Sequence, residues 1–171
     1  SNREDAPGLE TARKMGLATV LLPSKGLSRD EHDRQVAAAP AAANVDLVVL
    51  AGYMRILTAW FVAQFPQRIV NIHPALLPAF PGLDAQHQAW EYGVRYAGCT
   101  VHFVDEKMDS GPILAQSVVP VFDSDTAETL SNRILAEEHR IYSEAIAFVL
   151  SGQYRLDGRR VVRLTGAQDG N

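Results

Sequence analysis

Apolar positions along the chain alternate between helical spacing and unbroken runs, and the two kinds of segment take turns. Leu9, Ala12 and Met15 recur at helical spacing, behind Asp5 and Pro7 and ahead of Gly16, which predicts a short amphipathic helix. Residues 18–23, ATVLLP, predict a buried strand. Ser28 with Glu31 forms an S-x-x-E capping pattern that opens a second helix, running into an alanine-rich stretch interrupted by Pro40. Residues 46–52, DLVVLAG, form a continuous apolar run closed by glycine, the pattern of a central parallel strand buried on both faces. LTAWFVAQF predicts a short helix, RIVNIH a strand, residues 84–93 a helix and GCTVHFV another strand. DEKMDSG is a turn and PILAQSVVPV is extended. Asp125 with Glu128 caps a long helix reaching Leu150, and YRLDGRRVVRL predicts a hairpin turning at Asp157 and Gly158.

Strands alternating with helices at this spacing imply an α/β fold with an open, doubly wound, mostly parallel sheet, Rossmann-like in kind. Ligands of such sheets bind beyond the carboxyl ends of the strands, so the loop after RIVNIH belongs on the binding rim. The 171 residues suit one domain, and no repeat, linker or low-complexity tract divides them. A net charge of −4 offers no nucleic-acid footprint but leaves room for a local basic pocket. No apolar run approaches the roughly 18 residues of a membrane span. The expected partners are therefore small molecules, with neither nucleic acid nor membrane. Cys99 is the single cysteine, which excludes an internal disulfide and suits a cytoplasmic location.

The candidate chemistry sits in NIHPALLPAFPG, residues 71–82. Asn71 and His73, two apart at a strand end, point to one face. There a carboxamide can donate to a developing oxyanion, and an imidazole can shuttle a proton near neutral pH. Pro74, Pro78 and Pro81 stiffen the loop beyond this pair. Spacing alone favours a plainer reading, an asparagine capping a turn and a histidine satisfying a buried backbone group. Downstream, VHFVDEKMDSGPI brings His102, Asp105, Glu106 and Asp109. An acidic residue beside His73 would favour its charged form and hold the ring, but Asp105 and Glu106 read better as a solvated turn. Nothing in the residues alone pairs Asp109 with His73. Cys99 and His102 fall on opposite strand faces, so they make no nucleophile pair. No spacing resembles a metal site, and no metal is expected.

AGYMRIL, NIHPALLPAFPG and VHFVDEKMDSGPILAQ occur in this order in a chain that resembles the phosphoribosylglycinamide formyltransferases, folate-dependent transformylases of purine synthesis. The resemblance runs from Ser1 to about Leu164. It implies formyl transfer from 10-formyltetrahydrofolate, a cosubstrate, to the amine of glycinamide ribonucleotide. It matches Asn71, His73 and Asp109 to the family's catalytic residues, with Asn71 also on the folate side. Met54, Arg55, Ile56 and Leu57 match the segment that holds the folate pterin, and Arg29 matches a folate-contacting arginine. Glu138 matches a glutamate on the ribonucleotide, and His102 a histidine lining the site. Read without the resemblance, Met54, Ile56 and Leu57 close the core, Arg55 is a surface charge, and Glu138 is no more distinctive than Glu137. His87 and His139 read as solvent-facing or packing residues.

The family usually opens with a strand and a glycine-rich phosphate turn, which the resemblance places ahead of Ser1. The expectation is one formyltransferase domain over residues 1–171 that lacks this N-terminal element. Asp84, Gln86 and Ala75 also depart from the usual pattern. Formyltetrahydrofolate deformylase, a hydrolase with a similar Asn, His and Asp set, is the nearest alternative, followed by an inactive folate-binding protein. Either a monomer or a homodimer is compatible with the sequence.

Overall fold

In the computed structural model, which describes residues 1–164, six strands and five helices follow one another. They are α1 (Pro7–Lys14), α2 (Arg29–Ala42), β1 (Val48–Leu50), α3 (Ala59–Gln64), β2 (Ile69–His73), α4 (Ala85–Tyr92), β3 (Tyr96–Phe103), β4 (Ile113–Pro120), α5 (Ala127–Leu150), β5 (Tyr154–Asp157) and β6 (Arg160–Arg163). The strands form one open sheet in the order β1-β2-β3-β4-β6-β5, with helices on both faces. The pairings are mixed. β1 with β2 and β4 with β6 run parallel, whereas β3 is antiparallel to both β2 and β4, and β5 to β6.

Alternation along β3 assigns the two faces. Ala97, Cys99 and Val101 turn toward α5, where Leu130, Ile134, Ile141 and Ala145 close over them. The opposite face packs Ile69 against Phe61 and Phe65 and against Ala37 of α2. Truncating a wholly buried member such as Ile134 to alanine costs about 2–5 kcal/mol. Tyr142 of α5 donates its hydroxyl hydrogen to the Leu50 carbonyl at 2.6 Å, tying the helix across the end of β1.

Three sequence expectations need correction. Residues 18–23 form no strand: the Leu22 N–H donates to the Ser1 carbonyl, and no neighbour among the described residues gives the segment a ladder. Among the described residues β1 pairs on one side only, with β2, and it is not buried on both faces, since Val49 is 42% exposed. An apolar run reports a tendency to bury side chains, not whether strands flank it on both sides. The cap of α5 is Thr126 with Thr129, not Asp125 with Glu128. Asp125 instead takes a bidentate contact from Arg133 at 2.7 and 2.8 Å, which holds its carboxyl far below the ordinary range. The capping box at Ser28 and Glu31 forms as expected, and α2 continues through Pro40 to Ala42.

Candidate active site

The end of β2 and the middle of β3 carry the polar residues of one sheet face. Register places Asn71 opposite His102 and His73 opposite Thr100, so four side chains from two alternate rungs share that face. The loop over residues 74–83 folds back across them, and its backbone meets the ring of His73. Nε2 of His73 lies 2.8 Å from the Phe80 carbonyl, which can only accept, so Nε2 carries a hydrogen. The plainer reading of this histidine, as a partner for a buried backbone group, is thus correct for one ring nitrogen. The other, Nδ1, faces Asp109 Oδ2 at 3.5 Å.

Asp109 arrives from the turn between β3 and β4 with its backbone in the left-handed region, φ 48°. Its Oδ2 also accepts the Gly82 N–H at 2.8 Å, and its Oδ1 lies 3.8 Å from His102 Nε2. The turn is shaped from within by Asp105, which accepts the Ser110 hydroxyl at 2.8 Å and the Lys107 N–H at 3.0 Å. Asp105 is therefore an organiser of the turn, not the solvated charge that its sequence neighbours suggest. Gly111 is required by close approach, since a Cβ there would stand 1.8 Å from the Phe103 carbonyl oxygen.

That same carbonyl fixes the tautomer of His102. It accepts from Nδ1 at 2.8 Å, so in the neutral ring Nε2 is the acceptor, and it receives the Asn71 side-chain N–H at 3.3 Å. Burial pushes the His102 pKa down, which favours the neutral ring this bond needs.

A cavity of about 740 Å³ opens over this face. Met54, Arg55, Ile56 and Leu57 form one wall, Asn71, His73, His102 and Asp109 the floor, and Glu138 with His139 and Tyr142 of α5 the far side. Glu138 is half-buried there, and burial raises its carboxyl pKa. Its neighbour Glu137 is engaged elsewhere, bound to Ser117 at 2.5 Å and to Arg140 at 2.6 Å. The two glutamates, equal in sequence, are thereby told apart. Arg29 is exposed on the first turn of α2 and is absent from the cavity wall. His139, read from sequence as solvent-facing or packing, is exposed and also lines the cavity, whereas His87 stands outside it near Asp84 and Glu91. Cys99 is buried against α5, its thiol pushed up to about 12 by burial.

Sequence reasoning missed what holds these walls. Asp33 is fully buried and accepts the Thr58 N–H at 2.7 Å, anchoring the end of the 51–57 loop. Its only advance signal was a charge at a helical position that turned out to face inward. The Phe80 carbonyl and the Gly82 N–H are backbone groups, which no side-chain pattern announces. Among the described residues, no three His, Cys, Asp or Glu side chains stand together as a metal site would require.

The sequence pattern of a family described as formyl transferase matches residues 1–146. The chain belongs to that family. Among curated formyltransferase relatives, the phosphoribosylglycinamide formyltransferase of Escherichia coli (strain K12) is 41% identical over 169 residues, covering 94% of this chain and 80% of the relative. The trifunctional purine biosynthetic protein adenosine-3 of Drosophila melanogaster is 42% identical over 153 residues; the match covers 89% of this chain but only 11% of that longer protein. Among solved structures, the glycinamide ribonucleotide transformylase 1 of Symbiobacterium toebii superposes with a TM-score of 0.93 at 52% identity, over 96% of this chain and 78% of that one. A formyltetrahydrofolate deformylase from Pseudomonas syringae pv. tomato also shares the fold, with a TM-score of 0.86 at 26% identity, over 91% of this chain and 52% of that one.

Proposed function

We propose that this formyltransferase moves the formyl group of 10-formyltetrahydrofolate to the primary amine of glycinamide ribonucleotide, with Asn71, His73 and Asp109 as its catalytic residues. The observation that carries the reading is the convergence of a carboxamide, an imidazole and a carboxylate on the floor of one cavity, between an apolar wall and a half-buried glutamate. The names of the relatives at 41% and 52% identity point the same way.

The substrate amine attacks the formyl carbon directly and needs no protein nucleophile, consistent with a Cys99 turned away from the cavity. Attack forms the C–N bond and turns the formyl oxygen into an oxyanion. The Asn71 N–H that is not engaged by His102 donates to it, in a site where such a donor supplies about 3–4 kcal/mol. The attacking amine must then lose a proton and the folate nitrogen must gain one as its bond to carbon breaks. With Nε2 anchored on Phe80, Nδ1 is the edge of His73 free to carry that proton, and Asp109 stabilises the imidazolium formed on the way. The 51–57 loop with its apolar side chains covers the pterin, and Glu138 receives the ribonucleotide.

The test is a formyl-transfer assay run with and without glycinamide ribonucleotide. Tetrahydrofolate release that depends on the ribonucleotide supports transfer. Release of formate at the same rate without it would replace this reading with hydrolysis.

A further inference from the structure

Thr100 and Gln116 take no part in the chemistry above, yet they share a rung of the sheet with His73: register pairs His73 with Thr100 and Thr100 with Gln116. Thr100 is fully buried and its hydroxyl is used to capacity. It donates to the Ala75 carbonyl at 2.7 Å and accepts the Leu77 N–H at 3.0 Å and one Gln116 amide hydrogen at 3.0 Å. The second amide hydrogen of Gln116 goes to the Leu77 carbonyl at 3.0 Å.

We propose that Thr100 and Gln116 are positioning residues for formyl transfer, a latch that fixes the 74–83 loop from behind so that its Phe80 carbonyl and Gly82 N–H meet His73 and Asp109. This rests on the roles proposed for His73 and Asp109 in the transfer. Pro74, Pro78 and Pro81 have no N–H to offer, so backbone ladders cannot anchor the loop along its length. Three of the backbone groups between Ala75 and Leu77 find partners on these two side chains instead. The loop's far end carries the two contacts that set the imidazole and the carboxylate. A displacement of about 1 Å at that end is enough to cost about 100-fold in rate. Gln116 is exposed on β4, so it is not needed to fill the core, and its bonds to the loop are what it contributes.

The test compares Gln116→Met, Thr100→Val and Thr100→Ser with the parent chain in steady-state transfer, with thermal unfolding and NMR of the His73 ring recorded on each. For Gln116→Met and Thr100→Val the expected result is a kcat lower by about tenfold or more, with KM for both substrates within about twofold. Thr100→Ser restores kcat to within about threefold, because it keeps the hydroxyl. Gln116→Met unfolds at the parent temperature while its His73 ring signals move. The proposal is overturned if Gln116→Met keeps parental kcat and parental ring signals, or if Thr100→Ser is as slow as Thr100→Val. Should the parent chain lack transfer activity, the function reading fails by itself. The ring signals of the variants then still decide the latch.

Discussion

Nε2 of His102 accepts the side-chain N–H of Asn71 at 3.3 Å, and that bond decides which end of the carboxamide faces the cavity. With the amide so engaged one N–H remains, and the proposed mechanism gives it the developing oxyanion as acceptor. Asn71→Ala should therefore lower kcat about 100- to 1,000-fold with little change in the affinity for the folate. Single-turnover kinetics alongside equilibrium binding of a folate analogue will check this; a variant near parental rate would remove Asn71 from the mechanism.

The same bond ties His102 to pH. Its pKa is lowered chiefly by burial, so the unfolded chain binds the proton more readily than the folded one. Stability consequently rises with pH between the depressed folded value and about 6.5, and is fully present above that. Urea unfolding over this range should show the parent losing stability on the acid side, and His102→Gln losing less. Parallel curves for the two proteins would contradict the assignment.

Glu138 and Glu137 should separate in kinetics as they do in space. Glu138→Gln is expected to raise KM for glycinamide ribonucleotide about tenfold or more, the worth of one hydrogen bond to a charged group. Glu137→Gln, whose parent side chain is occupied by Ser117 and Arg140, should leave that KM unchanged. Equal effects from both would argue against a ribonucleotide contact at Glu138.

Gly111→Ala brings a Cβ against the Phe103 carbonyl, the group that holds His102. Overpacking of this kind costs about 1–3 kcal/mol, and the forced shift also moves the turn that carries Asp109. Denaturant unfolding should show the loss of stability, and the transfer assay a lower kcat. A variant with parental stability and rate would show that the turn yields freely.

Much of this was legible in the chain. The long apolar period of α5, the capping box of α2 and the strand ending at His73 arise from local chemistry, and local chemistry is what a sequence displays. The order of the described strands was not, because it is set by long-range pairing that no window of residues contains. Asn71 and His73 were visible as a polar pair, but Asp109 was joined to them only by family resemblance, since 36 positions separate it from His73. The groups that aim His73 are a carbonyl and a hydroxyl network, and neither has a sequence signature.

Asp109 combines its carboxylate with a backbone at φ 48°, a region where aspartate, asparagine and glycine rest most easily. Asp109→Asn keeps that conformation and an acceptor for Gly82 while removing the charge, and it should cost about 100-fold or more in kcat, measured against unchanged folate binding. Asp109→Glu keeps the charge but strains the chain and moves the carboxyl one methylene away. An engineer who wants to retune this corner must therefore choose between its charge and its shape, since no other natural side chain preserves both.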